Sequence, residues 1–128
     1  MEHQVSQYKS KNGLRRVVDA FGYSMEGFKA AWQHEFAFRQ EIVVCVLATI
    51  AALALPVSAF QKLMMIVVLL LVLLVELLNS AIEAVVDRVS LEHHPLSKRA
   101  KDLGSAAVAM SLVIAGLTWT VILFTRFY

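Results

Sequence analysis

The chain has 128 residues, 59% of them hydrophobic, with a mean hydropathy of +0.65 and a net charge of +2. That composition excludes an ordinary soluble domain and fits a small polytopic membrane protein. The near-neutral charge speaks against a nucleic acid partner, and the lone Cys45 leaves no disulfide framework and no cysteine pair for a metal.

In chain order, residues 1–12 are polar and expected to fray. From Gly13 the pattern turns helical, with Val18, Phe21, Met25, Phe28 and Trp32 spaced three and four apart. Arg15, Arg16, Asp19, Glu26 and Lys29 occupy the other faces. A basic amphipathic segment beside a membrane span predicts a helix lying flat at the interface. Gly22 and Gly27 are expected to weaken it and to be its points of breakage. Residues 1–34 therefore read as a polar N-terminus and an amphipathic surface helix.

Three apolar stretches follow. Residues 42–59 are short against the ~20 residues a span needs, whereas residues 63–86 and 106–124 are long enough. With their polar flanks the membrane helices are expected at about residues 35–59, 63–88 and 104–126. The first apolar run starts only at Ile42, so no signal peptide is evident. A turn with Pro56 and Ser58 joins the first two spans, and the polar stretch at residues 90–102 reads as a loop between the second and third. Ten of the twelve Lys and Arg residues lie before the first span or between the last two. By the positive-inside rule the N-terminus and second loop are then cytoplasmic and the C-terminus is outside. Three helices are too few to enclose a site, so oligomerisation is expected. Gly104, Ser105, Ala106, Ala107, Ala109, Ser111, Ala115 and Gly116 suit close helix contact.

Residues 63–75 have no polar side chain, and then come Glu76, Asn79, Glu83 and Asp87. At 100° per residue the three acids fall within roughly 20° of one line, with Asn79 about 60° to one side. An ionisable group at membrane depth is costly, about 2.5–3.5 kcal/mol at the centre of a span, and marks function when it is kept. The bland alternative is polar glue between helices, worth only ~0.6–2 kcal/mol. Other polar groups gather at the same boundary: Glu35, Arg39, Gln40 and Glu41 before the first span, and Lys98, Arg99, Lys101 and Asp102 leading into the third. Carboxylates for a hard divalent cation and bases for phosphate thus share one layer, which phosphoryl transfer requires. Glu76 is the deepest acid, about 10 Å further in than Glu83, and suits a general base. Two apparent motifs fail. The Gly22 to Gly27 spacing lacks the lysine and the strand of a phosphate loop, and His34-Glu35 has Phe38 where a zincin has its second histidine. His93-His94 is improbable as a metal pair, because adjacent rings diverge.

At these residues the chain resembles the prokaryotic integral-membrane diacylglycerol kinases. Glu76-Leu-Leu-Asn-Ser-Ala-Ile-Glu-Ala-Val-Val-Asp-Arg88 looks like their signature. Ala30-Ala-Trp-x-x-Glu-x-Ala-Phe-Arg-Gln-Glu41 and Ser97-x-Arg-Ala-Lys-Asp-x-Gly-Ser-Ala-Ala107 are similar to two further blocks. The resemblance implies an all-α membrane protein, a homotrimer of three-span protomers with an N-terminal amphipathic surface helix and active sites shared between neighbours. It implies transfer of the ATP γ-phosphate to the sn-3 hydroxyl of diacylglycerol, giving phosphatidic acid, in a bacterial inner membrane with the C-terminus periplasmic.

Carried over by position, Glu76 would be the general base, and Glu35 and Glu83 would hold Mg²⁺ and through it the nucleotide. Arg16, Tyr23, Glu92, His93, His94, Lys101 and Asp102 would contact ATP. Arg16, Ser24, Ala31, Trp32, Phe38, Arg39, Gln40, Glu41 and Ser105 would serve the lipid, with Asn79 and Asp87 in support. Related kinases that phosphorylate undecaprenol are the alternative within the family. A non-enzymatic scaffold and a cation channel lined by Glu76, Glu83 and Asp87 are the alternatives outside it.

Overall fold

The computed structural model describes residues 12–128, and the expectation of a frayed segment ahead of Asn12, with Lys9 and Lys11, lies outside them. Four helices follow one another: α1 (Gly13–His34), α2 (Phe36–Ala54), α3 (Ala59–Val89) and α4 (Pro95–Phe127). The chain divides into two compact units, Met1–Glu35 and Phe36–Tyr128.

In the first unit α1 starts at Asn12, whose side-chain oxygen accepts from the Arg15 N–H at 2.9 Å and satisfies one of the orphan donors of the first turn. The helix runs unbroken through Gly22 and Gly27, contrary to the expectation of breakage. A glycine costs a helix only about 1 kcal/mol, which the neighbouring turns offset. The apolar stripe of Val18, Phe21, Met25, Phe28 and Trp32 is exposed along its whole length. Glu35 ends the helix in an extended conformation, and its N–H still reaches the Ala31 carbonyl at 3.0 Å.

The second unit is an antiparallel three-helix sheaf. Ser58 opens α3 with a reciprocal cap: its hydroxyl accepts from Gln61 N–H at 3.1 Å, and the Gln61 side chain accepts from Ser58 N–H at 2.9 Å. Across the same turn Lys62 donates to the Leu53 carbonyl at 2.7 Å, and Arg126 donates to the Pro56 carbonyl. Both contacts satisfy backbone oxygens that the α2–α3 break leaves without helical donors.

The polar stretch expected to be a loop over residues 90–102 is mostly helix. Only residues 90–94 connect α3 to α4. Pro95 occupies the first turn, where its missing N–H costs nothing, and His94 Nδ1 accepts from Leu96 N–H at 3.1 Å. Lys98 then pairs with Asp102 one turn on, a spacing that supports the helix.

The core lies between α3 and α4. Met65, Val68, Val72, Glu76 and Asn79 form the buried stripe of α3, and Gly104, Ser111, Ala115 and Ile122 that of α4. The register is fixed by pairs along the two helices: Asp87 with Lys101, Asn79 with Gly104, and Met65 with Trp119. Trp119 packs on both apolar clusters and donates its indole N–H to the Met65 carbonyl at 3.1 Å. Ala52 of α2 closes the cluster of Met65 and Ile122.

α2, α3 and α4 are each long and apolar enough to cross a membrane. At 1.5 Å per residue the 31 residues of α3 and the 33 of α4 reach about 46 and 50 Å, well beyond a hydrocarbon core of about 30 Å. The excess carries the polar residues.

Candidate active site

Glu76 continues the buried stripe that Met65, Val68 and Val72 begin, and it is 5% exposed. The acid in the apolar helix therefore faces protein. One turn on, Asn79 is 9% exposed and donates its Nδ2 to Glu83 Oε1 at 3.3 Å. Glu83 is half-buried and Asp87 is exposed. The four residues grade from buried to solvated along one helix, as expected for a site entered from the polar end.

Glu41 of α2 lines a groove together with Leu69 and Val72, which lie two turns and one turn ahead of Glu76 on α3. One oxygen of Glu41, Oε2, is buried with no hydrogen-bond partner among the described residues. Glu41, Arg39 and Gln40 stand at one end of an otherwise apolar groove of about 740 Å³ that runs down past Cys45, Leu69 and Ala115. The Arg39 guanidinium lies over the Phe36 ring, 5.6 Å from its centroid.

A second, smaller pocket of about 280 Å³ forms at the α3–α4 connection. It gathers Asp87, Glu92, His93, His94, Lys101 and Asp102, all of them singled out in the sequence, together with Lys98. Lys101 bridges to Asp87 at 2.7 Å, and Lys98 bridges to Asp102. An acidic and basic pocket at the head of α4 suits a phosphorylated, metal-bound ligand.

The remaining candidates are distributed as follows. Arg16, Tyr23, Ser24, Ala31 and Trp32 lie on α1, and Glu35 is its C-cap, all in the first compact unit. Phe38 is 2% exposed and is not part of the groove wall. Ser105 is exposed on α4. Among the described residues no three His, Cys, Asp or Glu side chains converge on one point. Sequence reasoning missed the apolar groove and the place of Glu41 in its wall beside Leu69 and Val72. Both depend on which faces of α2 and α3 meet, and the nearly uniform apolarity of α2 gives no facing signal.

The fold and site together define an all-α membrane protein with a buried acid at the polar end of its helices. The sequence model of the prokaryotic diacylglycerol kinase family matches residues 22–123. Diacylglycerol kinase of Pseudomonas aeruginosa is 53% identical over 92% of this chain and 96% of its own length. The Escherichia coli diacylglycerol kinase is 50% identical over 90% of the chain and 94% of its own, and that of Helicobacter pylori is 38% identical over 84% of each. The chain belongs to the prokaryotic diacylglycerol kinase family.

Proposed function

We propose that this protein is an ATP-dependent diacylglycerol kinase of a bacterial inner membrane, giving phosphatidic acid. The observation that carries the reading is Glu76: a carboxylate on the protein-facing stripe of an apolar helix, which along α3 follows the apolar groove at Leu69 and Val72 and precedes the charged pocket at Asp87. Scaffold glue explains the burial of Glu76 but leaves the charged pocket idle. A channel explains neither the groove nor the Lys101–Asp87 pair.

In the reaction the acceptor's sn-3 oxygen forms a bond to the γ-phosphorus as the bond from that phosphorus to ADP breaks. The hydroxyl proton passes to Glu76. The groove holds the acyl chains, and Glu41 with its unpaired oxygen accepts a hydrogen bond from the glycerol end. Lys101, Asp102, Glu92, His93 and His94 hold the nucleotide, with Arg16 and Tyr23 from α1. Asp87 keeps Lys101 aimed. Ser24, Ala31, Trp32 and Ser105 serve the lipid.

Carboxylates are the ligands Mg²⁺ prefers, and Glu83 and Glu35 are the two proposed for it. Glu83 offers a half-buried carboxylate held by Asn79, and Glu35 offers a second, the one or two acids that Mg²⁺ takes beside substrate phosphates. When bound, the ion neutralises charge on the transferred phosphoryl group.

A homotrimer with shared sites accounts for two further observations. Only 6% of the most apolar window of α4 is buried by the chain itself, and among the described residues of one chain no three His, Cys, Asp or Glu side chains are grouped to hold a metal ion. The N-terminus and the α3–α4 connection are then cytoplasmic and the C-terminus periplasmic, following the basic residues.

The test is purified protein in mixed micelles with labelled ATP, Mg²⁺ and either diacylglycerol or undecaprenol. Label is expected in phosphatidic acid. Label in undecaprenyl phosphate alone would move the acceptor, and label in neither would overturn the kinase reading.

A further inference from the structure

Gly104 sits on the buried stripe of α4, directly against Asn79 of α3. A β-carbon placed on Gly104 would collide with Asn79 Oδ1 and lie 3.3 Å from its Cγ, yet 3.9 Å from its Cα, an ordinary contact. The backbones thus leave room for a methyl group, and only the carboxamide does not. That carboxamide is doubly constrained. Its Nδ2 is committed to Glu83 at 3.3 Å, and its Oδ1 is buried with no hydrogen-bond partner among the described residues, aimed at the bare face of Gly104. A buried, unpaired amide oxygen is unfavourable and turns away unless its surroundings hold it.

We infer that Gly104 is a positioning residue for the site: by lacking a side chain it gives the Asn79 carboxamide the one orientation in which it donates to Glu83. A methyl group at position 104 would rotate the amide, and the rotation breaks the bond to Glu83 before it parts the helices. This differs from the usual reason for a small residue at a helix crossing, which is close backbone approach. Here the free space is filled by a side chain of the site. The inference rests on the proposed kinase activity and on Glu83 acting at the phosphate-binding end of it.

The experiment is a double-mutant cycle in the full-length protein, with Gly104→Ala, Asn79→Ala and the pair, read as kcat/KM for ATP at saturating Mg²⁺ and as the Mg²⁺ concentration for half-maximal rate. Each single variant is expected to lower kcat/KM about tenfold, the scale of one lost hydrogen bond to a charged group, and to raise the Mg²⁺ midpoint. The pair is expected to be no worse than Asn79→Ala, since Gly104 acts only through that carboxamide. Multiplying losses, or a Gly104→Ala enzyme equal to the parent, would overturn the inference. If Gly104→Ala alone does not fold, the pair is expected to fold, because the colliding atoms are gone; an unfolded pair would overturn it equally. Glu83→Gln separates the two levels of the argument. A parental Mg²⁺ titration in that variant removes the metal role of Glu83, while the Gly104–Asn79 coupling in kcat/KM is judged on its own.

Discussion

Lys101 of α4 donates to Asp87 of α3 at 2.7 Å, joining the polar ends of the two longest helices at the wall of the charged pocket. Their side chains are 44% and 48% exposed, so solvent screens the pair and it adds little to stability. In the proposed site its value lies in where it holds the ammonium. Asp87→Asn is expected to raise KM for ATP several-fold while the thermal midpoint moves by no more than about 5 °C. Steady-state kinetics and a melting curve on the same preparation check this; a fall in stability without a change in KM would make the pair purely structural.

Glu76→Gln keeps the size and hydrogen bonding of the side chain but cannot take up the acceptor's proton. Turnover is expected to fall by at least about 100-fold, the usual contribution of a positioned base, with nucleotide binding retained. Fluorescent-nucleotide titration beside the rate measurement separates the two effects. More than a tenth of the parental rate would place the base elsewhere.

Shared sites make a prediction that a self-contained chain cannot meet. Glu35→Gln and Glu76→Gln chains, each inactive, are mixed in detergent under conditions of subunit exchange verified by crosslinking. If a site takes Glu35 from one copy and Glu76 from its neighbour, random equal mixing leaves about half times half, or one quarter, of sites with both residues intact. Activity should recover to about that fraction. No recovery in verified mixed assemblies would confine the site to one chain.

Trp119→Phe removes the indole donor to Met65 while keeping an aromatic ring between the two apolar clusters. The Met65 carbonyl still has its helical donor, so nothing buried is orphaned. A stability loss of about 0.5–1.5 kcal/mol is expected, with kcat unchanged, by denaturant titration in micelles. A larger loss would mean that the bond also fixes the register of α3 against α4.

The membrane class, the three apolar helices and the acidic stripe were legible in the sequence because each rests on local pattern. Hydropathy over some twenty residues marks a span, and a 3.6-residue period aligns Glu76, Glu83 and Asp87 whatever surrounds them. The cap at Ser58 and Gln61 is local in the same way. Other features are not local. No glycine or proline lies between Trp32 and Phe38, yet α1 ends at Glu35. The polar run after His94 looks like a loop by composition, but a well-placed proline and a Lys98–Asp102 pair start α4 there. Above all, periodicity gives angles around one helix and says nothing of which helix lies opposite. Only packing in three dimensions sets Glu41 in one groove with Leu69 and Val72, Lys101 beside Asp87 and the bare face of Gly104 against Asn79. Residues distant in sequence meet where α3 packs antiparallel on α4, and that register is fixed by side-chain fit along the seam.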